Sequence, residues 1–210
     1  MRLRWQISPR DAAFVRQFVR ERSASRFVKV RIQRNVKGGH KPLTRSAFWD
    51  VLISCLLTTQ QRSGPDSHVA RFVGLRPSPL AYRVCRSKRC PGEYVRKVLT
   101  NHRGIRRAPT IGEQAEVNLR MLEGLRWKET LAWLRVLAQG ATPAQERQAA
   151  HFMAEHFKGV GPKQSRNLLQ DLGLTRYEMP IDSRITRWLN ELMAAPKLDA
   201  QMLASPKYFD

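Results

Sequence analysis

The sequence predicts an all-α protein. Three observations carry that expectation. Apolar residues recur at helical spacing in one segment after another. Glycine and proline fall between those segments. Two-residue alternation is confined to Phe27–Ile32. The chain has 210 residues, 42% of them hydrophobic, enough to bury a core.

Asp11 to about Ser23 sets Phe14, Val15, Phe18 and Val19 on one side and Arg16 and Arg20 on another, a helix. Phe27-Val28-Lys29-Val30-Arg31-Ile32 reads as a short strand or an extended basic arm, and Asn35–Pro42 as a loop. Ser46–Thr59 is apolar on most faces, which predicts a helix at the centre of the core. Pro65–Val73 reads as a short helix, and Pro77 and Pro79 break the next stretch. Glu93–Arg103, Gly112–Leu122 and Arg126–Gln139 each carry helical periodicity, with Trp127, Leu131, Trp133, Leu134 and Leu137 marking buried faces. Pro143–Phe157 is a helix with Thr142 as its N-cap. Lys163–Leu172 is another, stopped by Gly173. Asp182–Met193 is the last. No internal repeat or low-complexity linker interrupts the series.

The chain carries a net charge of +21. Such an excess favours a polyanionic partner, most simply nucleic acid. Residues 1–50 hold thirteen lysines and arginines against three acids, and residues 81–110 nine against one. Residues 111–210 are nearly balanced, thirteen against twelve. No apolar run approaches the ~20 residues a membrane helix needs. The start, MRLRWQISPR, lacks the apolar centre of a secretory signal. Three irregularly spaced cysteines, Cys55, Cys85 and Cys90, point to thiols in an intracellular protein, cytoplasmic and nucleoid-associated in a bacterium. Cys85 and Cys90 have no second pair downstream, so a zinc site is not expected.

The segment with the most chemistry runs from Phe157 to Asp182. Gly159-Val160-Gly161 forms a tight turn between two helices. The first turn of a helix has unpaired N–H donors and a positive dipole end, and glycines let a phosphate come close. Such a turn grips a nucleic-acid backbone without reading its sequence. Lys163 sits where turn becomes helix, and Asp182 follows nineteen residues later in Pro180-Ile181-Asp182-Ser183-Arg184. The bland readings are a phosphate-binding lysine and an N-cap aspartate.

The hairpin, the lysine and the aspartate at this separation resemble the helix-hairpin-helix DNA glycosylases, most closely the bifunctional 8-oxoguanine glycosylase/AP lyases. The resemblance implies two helical subdomains with the hairpin at the cleft between them: residues 1–44 packing with the C-terminal part, 45–130 as one subdomain, and 131–210 carrying the hairpin. It implies a monomer acting on double-stranded DNA that contains a damaged base, with Lys163 and Asp182 catalytic. Gln60, at the end of the central helix, matches the residue that fills the gap left by an extruded base. Gly159, Val160, Gly161, Arg166 and Arg184 take the places of DNA contacts, Arg184 where relatives often have histidine. The resemblance implies no cofactor beyond a monovalent cation at hairpin carbonyls. An iron–sulfur cluster of the endonuclease III kind needs four C-terminal cysteines, and none follows Cys90. Two other readings stand beside this one: a monofunctional glycosylase for alkylated or mismatched bases, against which Lys163 counts, and a non-catalytic DNA-binding protein.

Overall fold

A computed structural model describes residues 8–192 together with Leu198, Asp199 and Ser205. Among them the structure is all-helical, with no strand. The helices are α1 (Pro9–Arg22), α2 (Arg26–Arg31), α3 (Arg45–Thr58), α4 (His68–Val73), α5 (Tyr82–Arg86), α6 (Pro91–His102), α7 (Ala108–Met121), α8 (Trp127–Ala138), α9 (Pro143–His156), α10 (Pro162–Leu172) and α11 (Ser183–Leu192). Five-residue π-helical turns extend α2 through Val36 and join α7 to α8. The N-terminal expectation on Met1–Ile7 and the expected helix end at Met193 lie outside the described residues.

Helix α3 is the hub. Thr44 caps it, accepting from Ala47 N–H at 3.1 Å. Phe48, Trp49, Leu52, Leu56 and Leu57 are all within 1% of full burial. Helices α4, α5, α7 and α10 pack directly on this rod. Phe48 packs edge-on against Trp127 of α8 and tilts against Phe157, just past α9. Trp49 Nε1 donates to Leu80 O at 2.9 Å. Fully burying each large apolar side chain contributes ~1.5–3 kcal/mol, and α3 buries eight apolar residues, Phe48, Trp49, Val51, Leu52, Ile53, Cys55, Leu56 and Leu57.

Capping follows the sequence. Ser8 and Thr142 form capping boxes with Asp11 and Gln145 at the heads of α1 and α9. Gly173 takes a left-handed conformation (φ 83°), and the Gly173 and Leu174 amides donate to Gln170 O and Leu169 O, a Schellman ending.

Two expectations need correction. Arg26–Arg31 is helical, not a strand or extended arm. The helical register lets Arg31 and Asn35, one turn apart, reach the same place. Arg31 Nη1 donates to Asp171 Oδ1 at 3.2 Å, and Asn35 Nδ2 donates to Gln170 O and Thr175 O. An alternating strand would send those two side chains along a line instead of onto one helix end. The Tyr82–Arg86 helix was not expected either; Tyr82 and Cys85 anchor it in the core.

The N-terminal segment lies on the C-terminal third of the chain. Arg34 pairs with Asp171, Lys41 N–H donates to Leu172 O at 2.8 Å, and Phe18 tilts against Trp188 of α11. Helix α1 has no buried residue.

Candidate functional site

The turn from Phe157 to Gly161 joins α9 to α10. Its conformation comes from glycine and from two side chains of α7. Gly159 has φ 82°, and a Cβ there would come within 2.5 Å of the Gln114 amide. The positive φ demands glycine, while the Gln114 amide lies at the end of a flexible side chain that can move aside. One helical turn on, fully buried Asn118 accepts from Lys158 N–H at 2.7 Å and donates from Nδ2 to Lys158 O at 2.9 Å. Gly161 differs from Gly159. Its φ is −86°, and an added Cβ would meet nothing within 4 Å. The space over Gly161 is open.

Gly161 is the N-cap of α10 and supplies no side-chain cap. Pro162 takes the first helical position, where its missing N–H costs nothing. Lys163 follows, half-buried. It forms no ion pair with Asp182. Gln164 instead fastens this end of α10 to the end of α3. Its Nε2 donates to Cys55 O at 3.2 Å and to Thr59 Oγ1, while Thr59 Oγ1 donates to Cys55 O at 2.8 Å. The turn carrying Lys163 and the turn carrying Gln60 are therefore joined. Gln60 is exposed, with φ 56°. Nearby Cys55 is no competing nucleophile, because burial pushes its thiol pKa far up.

Val160 and Arg166 do not have the places expected of DNA contacts. Val160 is 3% exposed and its N–H already donates to Phe157 O at 3.1 Å, so neither its side chain nor its amide reaches outward. Arg166 is 1% exposed. Its Nε donates to Glu178 Oε2 at 2.6 Å and its Nη1 to Pro162 O at 3.0 Å. Arg166 thus ties α10 to the segment that leads to Asp182. A third buried charge completes this junction. Glu146 of α9, 2% exposed, accepts the backbone N–H groups of Arg176, Tyr177 and Glu178 at 2.8–2.9 Å.

Asp182 caps α11. Its Oδ1 accepts from Arg184 N–H and Ile185 N–H, both at 3.0 Å. Its Oδ2 accepts from Arg184 Nε at 3.0 Å and Nη2 at 2.7 Å. Burial acts to raise its pKa, but the hydrogen bonds from Arg184 and from the Ile185 amide outweigh it and hold the carboxyl below the usual carboxylate range. Asp182 is therefore ionised at neutral pH. Arg184 is 87% exposed at its side chain, so this pair sits at the surface.

Sequence reasoning did not find Gln114, Asn118, Gln164, Glu146 or Glu178. One signal was present: Gln114 and Asn118 are polar residues four apart on a helix whose inward face is otherwise Ile111, Ala115, Leu119. The partners of Glu146 and Glu178 lie 12–32 residues away in sequence and leave no local mark.

Among the described residues, no group of three or more His, Cys, Asp or Glu side chains gathers to hold a metal, and no helix is long and apolar enough to cross a membrane. No protein-family model matches this chain, and neither does any curated protein or any solved structure.

Proposed function

We propose that this chain is a base-excision DNA glycosylase with AP lyase activity, built as two helical subdomains around a helix-hairpin-helix motif, and that its substrate is double-stranded DNA carrying an oxidised base, 8-oxoguanine first among them. One observation carries the reading. A glycine turn, open over Gly161, leads into an uncapped helix start whose second residue is a half-buried lysine, and that start is bonded to the turn that carries an exposed glutamine. The resemblance of the Gly159–Asp182 stretch to bifunctional glycosylases supplies the rest.

The roles follow from chemistry. A base within a duplex has to leave the stack before it can be cut out, at a cost of a few kcal/mol. The N–H groups at the start of α10 hold a phosphate, with Gly161 giving it room. Gln60 fills the vacated space. Lys163 Nζ, in its neutral form, bonds to C1′ as the glycosidic bond breaks. The bonding pair leaves with the base, which takes up a proton. Loss of the amine proton and opening of the sugar ring give an imine. That imine acidifies the C2′ proton, and its removal expels the 3′ phosphate, cutting the strand. Asp182 stabilises the positive charge that develops on the sugar. Arg184 is the counter-ion it has in the absence of DNA. An exposed pair of this kind contributes ~0–1 kcal/mol, so a DNA phosphate can draw Arg184 away and leave Oδ2 for the sugar.

Borohydride reduces the imine to a stable protein–DNA bond. Wild type should form that adduct on 8-oxoguanine duplexes, and Lys163→Gln should form none. Asp182→Asn should release base at least tenfold more slowly while binding DNA almost normally. An undiminished adduct in Lys163→Gln would refute the role of Lys163.

The second reading, a non-catalytic DNA-binding protein, has its own support. The cap on α11 and the pair with Arg184 account for Asp182 with no chemistry at all. That reading requires binding without base release from any of the 8-oxoguanine, thymine glycol, uracil or alkylpurine duplexes.

A further inference from the structure

Among the described residues, three non-glycine residues have a positive φ: Gln60 (56°), Arg103 (57°) and Arg107 (62°). Strain of this kind relaxes unless the surroundings over-determine it, and it gathers where a side chain must keep a set direction. All three lie in two turns that touch. One ends α3; the other joins α6 to α7. Arg107 Nη1 donates to Thr59 O at 3.2 Å, and Arg106 N–H donates to Gln61 Oε1 at 2.9 Å. The second turn is propped from behind, since a Cβ on Gly104 would come within 2.4 Å of the His68 ring.

Gln61 joins the two turns. Its Oε1 takes the Arg106 amide, and its Nε2 donates back to Leu57 O. Both ends of its side chain are used inward, while exposed Gln60 next to it makes no side-chain hydrogen bond. Adjacent glutamines have thus been given opposite tasks. We infer that Gln61 is a positioning residue, clamping the turn of Gln60 to the Arg103–Arg107 loop so that Gln60 meets a duplex already aimed. This rests on the reading in which Gln60 occupies the gap left by an extruded base. The clamp gives that reading a physical basis the sequence lacked. With Thr59 and Gln61 both bonded to the facing loop, the Gln60 backbone is fixed before entry and only its side chain has freedom to lose, which is what preorganisation contributes to binding.

The test uses full-length protein and a duplex with 2-aminopurine opposite a tetrahydrofuran abasic analogue. The analogue has no glycosidic bond, so the fluorescence change reports entry into the duplex and is independent of Lys163 chemistry. Gln60→Ala, Gln61→Ala and the double variant are compared with wild type, with thermal midpoints measured alongside. Each single change should reduce the fluorescence response roughly fivefold or more. The double variant should lose no more than Gln60→Ala alone, because Gln61 acts through Gln60. Should Gln61→Ala not fold, Gln61→Met keeps the length of the side chain and loses both hydrogen bonds, and the same pattern is read from it. A full response in the Gln61 variant with loss in Gln60→Ala overturns the inference and leaves the glycosylase reading intact. Independent, multiplying losses from the two changes also overturn it, as they would mark Gln61 as a general support. A full response in Gln60→Ala ends both the inference and the gap-filling role it rests on.

Discussion

The helix that starts with Lys163 and the helix that starts with Asp182 are held in opposite ways. Helix α10 is fixed by buried polar groups on several sides: Asn118 on the turn before it, Gln164 on the end of α3, and Arg166 on Glu178. Helix α11 begins at a surface cap whose outer partner, Arg184, is 87% exposed. Buried hydrogen-bonded charges are costly to break, whereas exposed pairs exchange with water and ions. The lysine side of the candidate site is therefore preorganised, and the aspartate side is adjustable. The proposed roles match this contrast: a nucleophile gains from a fixed position, and a carboxylate that has to part from its counter-ion gains from a loose one.

The strongest challenge to this contrast is Arg166→Ala. It leaves Glu178 buried beside the partly exposed Arg147, at 3.4 Å, and should cost ~3 kcal/mol or more in a urea unfolding series. A loss below ~1 kcal/mol would mean that α10 is not anchored there. Next in size is the difference between the two glycines. Gly159→Ala should destabilise the fold by ~1–3 kcal/mol through its positive φ. Gly161→Ala should leave the thermal midpoint almost unchanged but weaken DNA binding severalfold, read by anisotropy at fixed salt. Equal effects of the two on stability would remove the case for an open phosphate seat. The smallest effect belongs to α11. Since the folded Asp182 carboxyl titrates below its unfolded value, its stabilisation is present above the unfolded pKa and is lost as pH falls through the folded one. Trp188 fluorescence should change as α11 loosens at acid pH, and Arg184→Ala should shift that change upward in pH while costing under ~1 kcal/mol at neutrality. A change in Trp188 on raising the pH instead would contradict the assignment of Asp182 as the cap.

The sequence made the helices legible because their signals are local. Thr142 with Gln145, Pro162 and Gly173 each mark a boundary within one turn of chain, and the structure places boundaries there. Phe27–Ile32 failed for the converse reason. Its alternation was real, but the register was decided by Asp171 and the Gln170 carbonyl, well over a hundred residues away. Arg166 was misread similarly. A basic residue three past Lys163 looks like a phosphate contact until Glu178 takes it inward. The inward task of Gln61 was also beyond the sequence, because it depends on where the Arg106 amide lies.

Gly173 has a consequence for the whole first fifth of the chain. A Cβ there would press against the His40 backbone at 2.8 Å and the Arg34 side chain, while Leu172 O receives the Lys41 amide beside it. The N-terminal segment is thus buttoned to the far tip of α10, whose near tip bears Lys163. Unbuttoning it by a larger residue at 173 would strip Asp171 of both its arginines and leave α10 held from its Lys163 end alone, through Asn118, Gln164 and Arg166.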